Sequence, residues 1–172
     1  MSKKFILIIL IIIAAGIGYW LYQSRPAVVL DPQNCAYTIE GKSILLKDGS
    51  AEEEIAAGSA AKLVTRYFGN KTVGDFNGDG LSDMVFLLTQ NSGGTGTFYY
   101  AVVALGTNNG CQGTNAILLG DRIAPQTTEF RNGEIIINYA DRQSGEPMTA
   151  DPSLGVSKYL KIENNNLIEV QK

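Results

Sequence analysis

The sequence predicts a mainly β fold, an antiparallel sandwich or partly open barrel, preceded by one N-terminal transmembrane helix. Three observations predict it. Met84–Leu88 and Phe98–Leu105 are nearly continuous apolar runs of strand length, the pattern of central strands buried on both faces. Short runs rich in β-branched and aromatic residues, broken by Gly, Asn and Asp clusters, recur from Tyr37 to Val170. Ahead of them, Phe5 to Tyr22 form a stretch of eighteen residues without a charge.

That stretch, built as a helix, spans ~27 Å, close to the hydrocarbon thickness of a bilayer. Lys3 and Lys4 precede it and only Arg25 follows closely, which places the N-terminus inside and the remainder outside. Tyr19, Trp20 and Tyr22 would sit at the far interface. The alternative is a signal peptide cleaved near Ala14-Ala15-Gly16, which would release a secreted protein. Residues 1–24 are thus the expected anchor or signal peptide, 25–34 a linker, and 35–172 an exported domain. With about 140 residues that domain has room for one core and not comfortably for two. The expectation is a single-pass protein, membrane-bound through residues 5–22, with its C-terminal domain extracytoplasmic.

Along the domain, Tyr37–Glu40 and Ser43–Lys47 flank Gly41-Lys42, and Lys47-Asp48-Gly49-Ser50 reads as the next turn. Residues 51–61, rich in Ala and Glu, read as a loop or short helix. Leu63–Phe68 reads as a strand, with two helical turns over Ala60–Tyr67 as the alternative. Asn91-Ser92-Gly93-Gly94-Thr95-Gly96 connects the two apolar runs as a hairpin loop; it lacks the Lys-Ser/Thr ending and following helix of a phosphate-binding loop. Cys111 falls in an expected loop. Ala116–Leu119, Glu134–Tyr139, Lys158–Ile162 and Leu167–Val170 read as strands, with Asn132-Gly133 and Asn164-Asn165-Asn166 as turns. Asp141–Gly155, with Pro147 and Pro152, is an irregular excursion.

Cys35 and Cys111 are the two cysteines, and an exported domain sits in an oxidising compartment, so a disulfide is expected, with two free thiols as the alternative. Closing a loop of about 75 residues stabilises by up to ~4 kcal/mol in the chain-entropy treatment.

The most specific chemical signal is Gly74-Asp75-Phe76-Asn77-Gly78-Asp79-Gly80-Leu81-Ser82-Asp83-Met84-Val85. Oxygen-bearing residues alternate along a glycine-broken turn, which suits Ca²⁺ with its six to eight oxygen ligands. Asp75, Asn77, Asp79 and Asp83 are the candidate side-chain ligands, with the Leu81 carbonyl between them. Counting from Asp75, the twelfth position is Phe86, where an EF-hand needs Glu, and the exit is strand-like. The pattern closely resembles the calcium loop of FG-GAP and VCBS-type repeats, found between strands in β-propellers and adhesion proteins. The likeness covers about a dozen residues in a single copy, so it implies the loop and not the propeller. An Asp/Asn/Gly turn without metal is the plain alternative. Cys35-Ala-Tyr-Thr-Ile-Glu-Gly, Gly96-Thr-Phe-Tyr-Tyr and Leu119-Gly-Asp-Arg-Ile also resemble small uncharacterised bacterial secreted or anchored proteins, which implies an exported envelope domain and no catalytic role.

Composition narrows the remaining classes. A net charge of −3 without any Lys/Arg cluster offers no field for nucleic acid. The chain has no histidine, which removes Ser-His-Asp and Cys-His catalysis and the common zinc sets. A carboxylate-pair glycosidase would draw on acids such as Glu129, Glu134, Asp141 and Glu146. Asp121-Arg122 reads as a local ion pair at a strand start or as a recognition point. The expected function is a membrane-tethered β domain with a structural Ca²⁺ site that binds a protein or glycan of the cell envelope. The alternatives are a purely structural or assembly module and a glycan-acting enzyme.

Overall fold

A computed structural model describes residues 29–56 and 58–172, together with Ile13 and Gly16. The expected anchor at 5–22 and the first part of the linker lie outside the described residues. Among the described residues no helix is long and apolar enough to cross a membrane.

The described chain is mainly antiparallel β. Asp31 caps a short 3₁₀ turn at Pro32–Asn34, its carboxylate accepting from the Gln33 amide. Pro32 is buried and its carbonyl accepts the Tyr37 hydroxyl at 2.7 Å, so the segment ahead of the first strand packs on the domain. Strands β1 (Ala36–Ile39) and β2 (Lys42–Leu45) form a hairpin, followed by β3 (Ser50–Glu54), β4 (Lys62–Gly74), β5 (Asp83–Asn91) and β6 (Phe98–Thr107). Then come β7 (Gly110–Gly113), β8 (Ile117–Asp121), β9 (Ala124–Arg131), β10 (Glu134–Asp141), β11 (Leu154–Glu163) and β12 (Asn166–Glu169).

Three sheets result: β1-β2, a larger sheet β3-β4-β5-β6-β7 with β8 also on β6, and a four-stranded sheet β12-β11-β10-β9. They stack in layers around β5 and β6. Val85 and Leu87 of β5, with Ala101, Val103 and Leu105 of β6, point to one face and pack against Ile135, Ile137, Tyr139, Leu160 and Leu167 of the four-stranded sheet. Phe86 and Leu88, with Tyr100, Val102 and Ala104, point to the other and meet Cys35, Tyr37, Ile39, Ile44 and Leu46 at the hairpin. Residues 85 to 88 have no exposed area, and each such side chain contributes on the order of 2 kcal/mol relative to exposure. Continuous apolar runs in an antiparallel sheet therefore report cover on both sides.

The hairpin registers follow from four two-residue turns with positive φ at both positions: Glu40-Gly41, Asp48-Gly49, Asn132-Gly133 and Asn164-Asn165. Such turns match the right-handed twist of the strands they join, and their Asn, Asp and Gly content made most of them readable.

The layers are tied at two places. On one side β4 bulges at Gly69 and Asn70 and leans onto β9, where the Thr72 hydroxyl donates to the Thr128 carbonyl at 2.9 Å. On the other, Thr114-Asn115-Ala116 joins all three sheets. Thr114 exchanges bonds with Val103 of β6, its amide donating at 3.0 Å and its hydroxyl accepting at 3.0 Å. Thr38 of β1 donates to the Thr114 carbonyl and accepts from the Ala116 amide. The Asn115 side chain bonds both backbone groups of Leu167 in β12, at 2.9 and 2.8 Å.

Several expectations change. Residues 51–54, read as loop or short helix, belong to strand β3; its acids line the outer edge, with Glu53 on Lys42 at 3.0 Å and Glu52 on Lys62 at 2.8 Å. The strand read at Leu63–Phe68 is thirteen residues long, since its bulges let it bend and continue to Gly74. Cys111 lies in strand β7, not in a loop, and β9 supplies a further strand. Cys35 and Cys111 are joined, with Cα atoms 6.1 Å apart, within the reach of a disulfide.

Two outcomes are expected. Asn115→Ala strands the Leu167 amide and carbonyl inside the molecule and costs about 2 kcal/mol, read from urea unfolding. Breaking the disulfide with Cys111→Ser costs about 2 to 4 kcal/mol by the same assay.

Candidate metal loop at the head of the central strands

The loop between β4 and β5 is shaped by its own carboxylates. Asp75 Oδ1 accepts from the amides of Gly78 (2.7 Å) and Asp79 (3.2 Å), and its Oδ2 from Gly80 (3.0 Å). Asn77 Oδ1 accepts from the Asp79 amide at 3.1 Å, while its Nδ2 donates to Asp79 Oδ2 at 3.1 Å. Asp79 Oδ1 accepts from the Leu81 amide at 2.8 Å. These bonds coil the chain around the side chains that would act as ligands. Gly78 and Gly80, at φ +80 and +83, make the coil possible.

Asp83 is placed differently. It is the first residue of β5 and wholly buried at 0 % exposure. Its Oδ2 accepts from the Phe76 amide and its Oδ1 from the Gly106 amide, both at 2.8 Å. One carboxylate thus clamps the start of the loop and the far end of β6. Phe76 adds a second fastening, since its ring enters the core and meets Phe130 of β9 at 4.7 Å between centroids. Gly106 has to be glycine, because a Cβ there would lie 2.5 Å from the Ser82 carbonyl oxygen.

Burial pushes the Asp83 carboxyl above the ordinary range, and the charges of Asp79 and Asp75 push it the same way; the two amides act against them. Among the described residues none of these three carboxylates is ion-paired with Lys or Arg. Nor do three or more His, Cys, Asp or Glu side chains gather among the described residues into a group that could hold a metal by themselves. The candidate set of two exposed carboxylates, one buried carboxylate, an amide and a carbonyl is all oxygen and fits a hard cation such as Ca²⁺ in its chemistry.

Phe76 and Gly106 are the parts of this site the sequence reading missed. Phe76 carried a usable signal, being a lone aromatic among polar turn residues. Gly106 carried none, because it lies more than twenty residues away and acts through its backbone.

The other singled-out acids fall elsewhere. Glu129 and Glu134 share one face of the β9–β10 pair at diagonal positions, and Glu134 is neutralised by Lys172 at 2.9 Å. Asp141 closes β10 and accepts the Arg142 amide; Glu146 lies in the excursion and accepts the Gln143 amide. Asp121 and Arg122 form an ion pair at 3.1 Å, and the Asp121 carboxylate also accepts the Thr97 amide. Arg142 bonds the carbonyls of Arg122 and Ala150, so this group fastens the excursion to the end of β8.

Removing Asp83 leaves two buried amides without acceptors, so Asp83→Ala costs about 3 kcal/mol in chelator, whereas exposed Asp79→Ala costs under ~1 kcal/mol. The raised Asp83 value also has a sign. The folded state holds that proton more tightly than the unfolded state, so Asp83's contribution falls as pH rises from the ordinary aspartate value of 3.8. Chelator melts of wild type and Asp83→Ala across this window should show the difference between them shrinking as pH rises.

No family model, curated protein or solved structure matches the chain.

Proposed function

We propose that this chain is a membrane-tethered extracytoplasmic β domain, braced by Ca²⁺, that binds a protein or glycan at the cell envelope. The observation that carries the calcium part is Asp83. A buried carboxylate, fixed by two backbone amides and repelled by Asp75 and Asp79, has no Lys or Arg paired with it among the described residues. Asp75, Asn77, Asp79 and Asp83 would supply side-chain oxygens and Leu81 its carbonyl. The cation, when bound, offsets the mutual repulsion of the carboxylates. The loop ends in β5 and holds no helix pair, which supports a brace and not a sensor.

The tether rests on the uncharged stretch at 5–22 and the lysines before it. A paired Cys35–Cys111 suits an oxidising compartment. The binding part is supported by aromatic surface. On one face of the larger sheet Phe68, 46 % exposed, stacks edge-on with Tyr99 at 5.2 Å; on the opposite face Phe98 and Leu118 are exposed at diagonal positions of β6 and β8.

The calcium reading is tested by melting the full-length chain, held in mild detergent, with EDTA and with Ca²⁺. For a dissociation constant of ~0.1 mM, about 1 mM Ca²⁺ adds about 1.4 kcal/mol, a rise of roughly 3 to 5 °C. Asp79→Ala should remove the rise, and Mg²⁺ should reproduce little of it. Equal melting temperatures with and without Ca²⁺ would sink the assignment. Capture of the same envelope component by wild type, and its loss on Phe68→Ser, is the expected result for the binding part.

A further inference from the structure

We infer that the Cys35–Cys111 disulfide and the Asp75–Asp83 loop form one coupled unit, so that reducing the bond loosens the loop and weakens its hold on a cation. The observation is a short path of contacts. Cys111 is the cross-strand partner of Gly106 in the β6–β7 pair. The Gly106 amide donates to Asp83 Oδ1, and Asp83 Oδ2 accepts from Phe76 at the start of the loop. Cys35, at the other end of the bond, is buried against the core under the hairpin.

The strand that carries Cys111 is anchored at its C-terminal end, where Thr114 and Asn115 bond the neighbouring sheets, but little else holds its residues 110–112. β7 is four residues long, contains two glycines and pairs only with the end of β6. Its residues are all partly or well exposed, so it adds little buried apolar surface. Strands this short at a sheet edge open readily unless fastened. The disulfide fastens that part, and it acts at the residue directly opposite Gly106, whose amide Asp83 needs.

Cys111 is only partly buried whereas Cys35 is buried, so its side of the bond is the more open to an external thiolate. With a dithiol reductant the exchange balances. Thiolate attack on Cys111 Sγ breaks the S–S bond and forms a mixed disulfide, releasing Cys35 as its thiol. The second sulfur of the dithiol then displaces Cys111, leaving the reagent as a cyclic disulfide. Two electrons and two protons pass from the dithiol to the two cysteines. The loop then loses the constraint on β7, and the Gly106–Asp83–Phe76 arrangement samples open forms more often.

This inference rests on the calcium reading for its ligand but not for its structural part, and the test separates the two. The full-length chain in mild detergent is compared oxidised and after dithiothreitol, by hydrogen exchange and by Ca²⁺ titration. Reduction lowers global stability and so accelerates exchange at the core Ile137 amide in the four-stranded sheet as well; beyond that shared change, the Gly106 and Phe76 amides should gain about a further fivefold or more. Ca²⁺ affinity should fall by a similar factor, and Ca²⁺ should make the bond harder to reduce by that same factor, since coupling is reciprocal. Unchanged exchange at Gly106 and Phe76, or equal loss of protection at Ile137, overturns the coupling. Should the oxidised chain bind no Ca²⁺, the calcium reading fails alone, and the exchange measurement still decides the coupling. Cys35→Ala/Cys111→Ala should reproduce the reduced chain without reagent.

Discussion

Burial of β5 and β6 on both faces is the constraint that the rest of the chain has to meet. Their side chains alternate between two cores, and neither core can be left to water: each of Val85, Phe86, Leu87 and Leu88 would lose on the order of 2 kcal/mol on exposure. One cover is the four-stranded sheet and the other is the β1-β2 hairpin. Neither cover is part of the central sheet's own ladder. The layers are therefore held by packing together with a few bridging groups, and those groups are where side chains act in place of strands. Asn115 behaves towards Leu167 as a neighbouring backbone would, and Asp83 serves Gly106 in the same way where the β5 ladder ends.

This arrangement explains why the 75–83 loop is held so firmly despite its exposed tip. The tip is shaped by local carboxylate–amide bonds, which an isolated turn could also make. The base is set by non-local features: the buried Asp83, the Phe76 ring in the core and the glycine at 106. Local bonds define a shape, and the base fixes where that shape sits on the sheet. A cation bound at the tip would thus act on β5 and β6 together, which are the strands with most to lose.

How much could be read from the sequence follows from what each element is made of. The apolar runs of β5, β6 and β10 announced themselves through composition, and the positive-φ turns through Asn, Asp and Gly. β3 did not, because its sequence Ser-Ala-Glu-Glu-Glu favours helix or solvent by propensity and becomes a strand only by pairing with β4 and by its charged edge. β7, with glycine at both ends, and β9, with Pro125, carry weak strand signals and exist because β6 and β10 offer them free edges. The later half of β4 was hidden by the bulge at Gly69-Asn70, which breaks the period-two pattern. In the loop the alternating oxygens were legible, but the division of labour among them was not. Spacing alone does not say that Asp83 is buried while Asp75 and Asp79 face water.

The position of the disulfide has a mechanical consequence. Cys35 stands immediately before β1, and its bond leads to β7 on the central sheet. Tension applied to the chain ahead of residue 35 passes through that covalent link, bypassing the two-stranded hairpin that would otherwise unzip one residue pair at a time. The hairpin cover stays seated while the load is taken up by β6 and its neighbours. A pull from the N-terminal side would then reach β7 through the bond before it reaches the β1-β2 ladder, leaving the apolar layer beneath Tyr37 and Ile44 shielded from water.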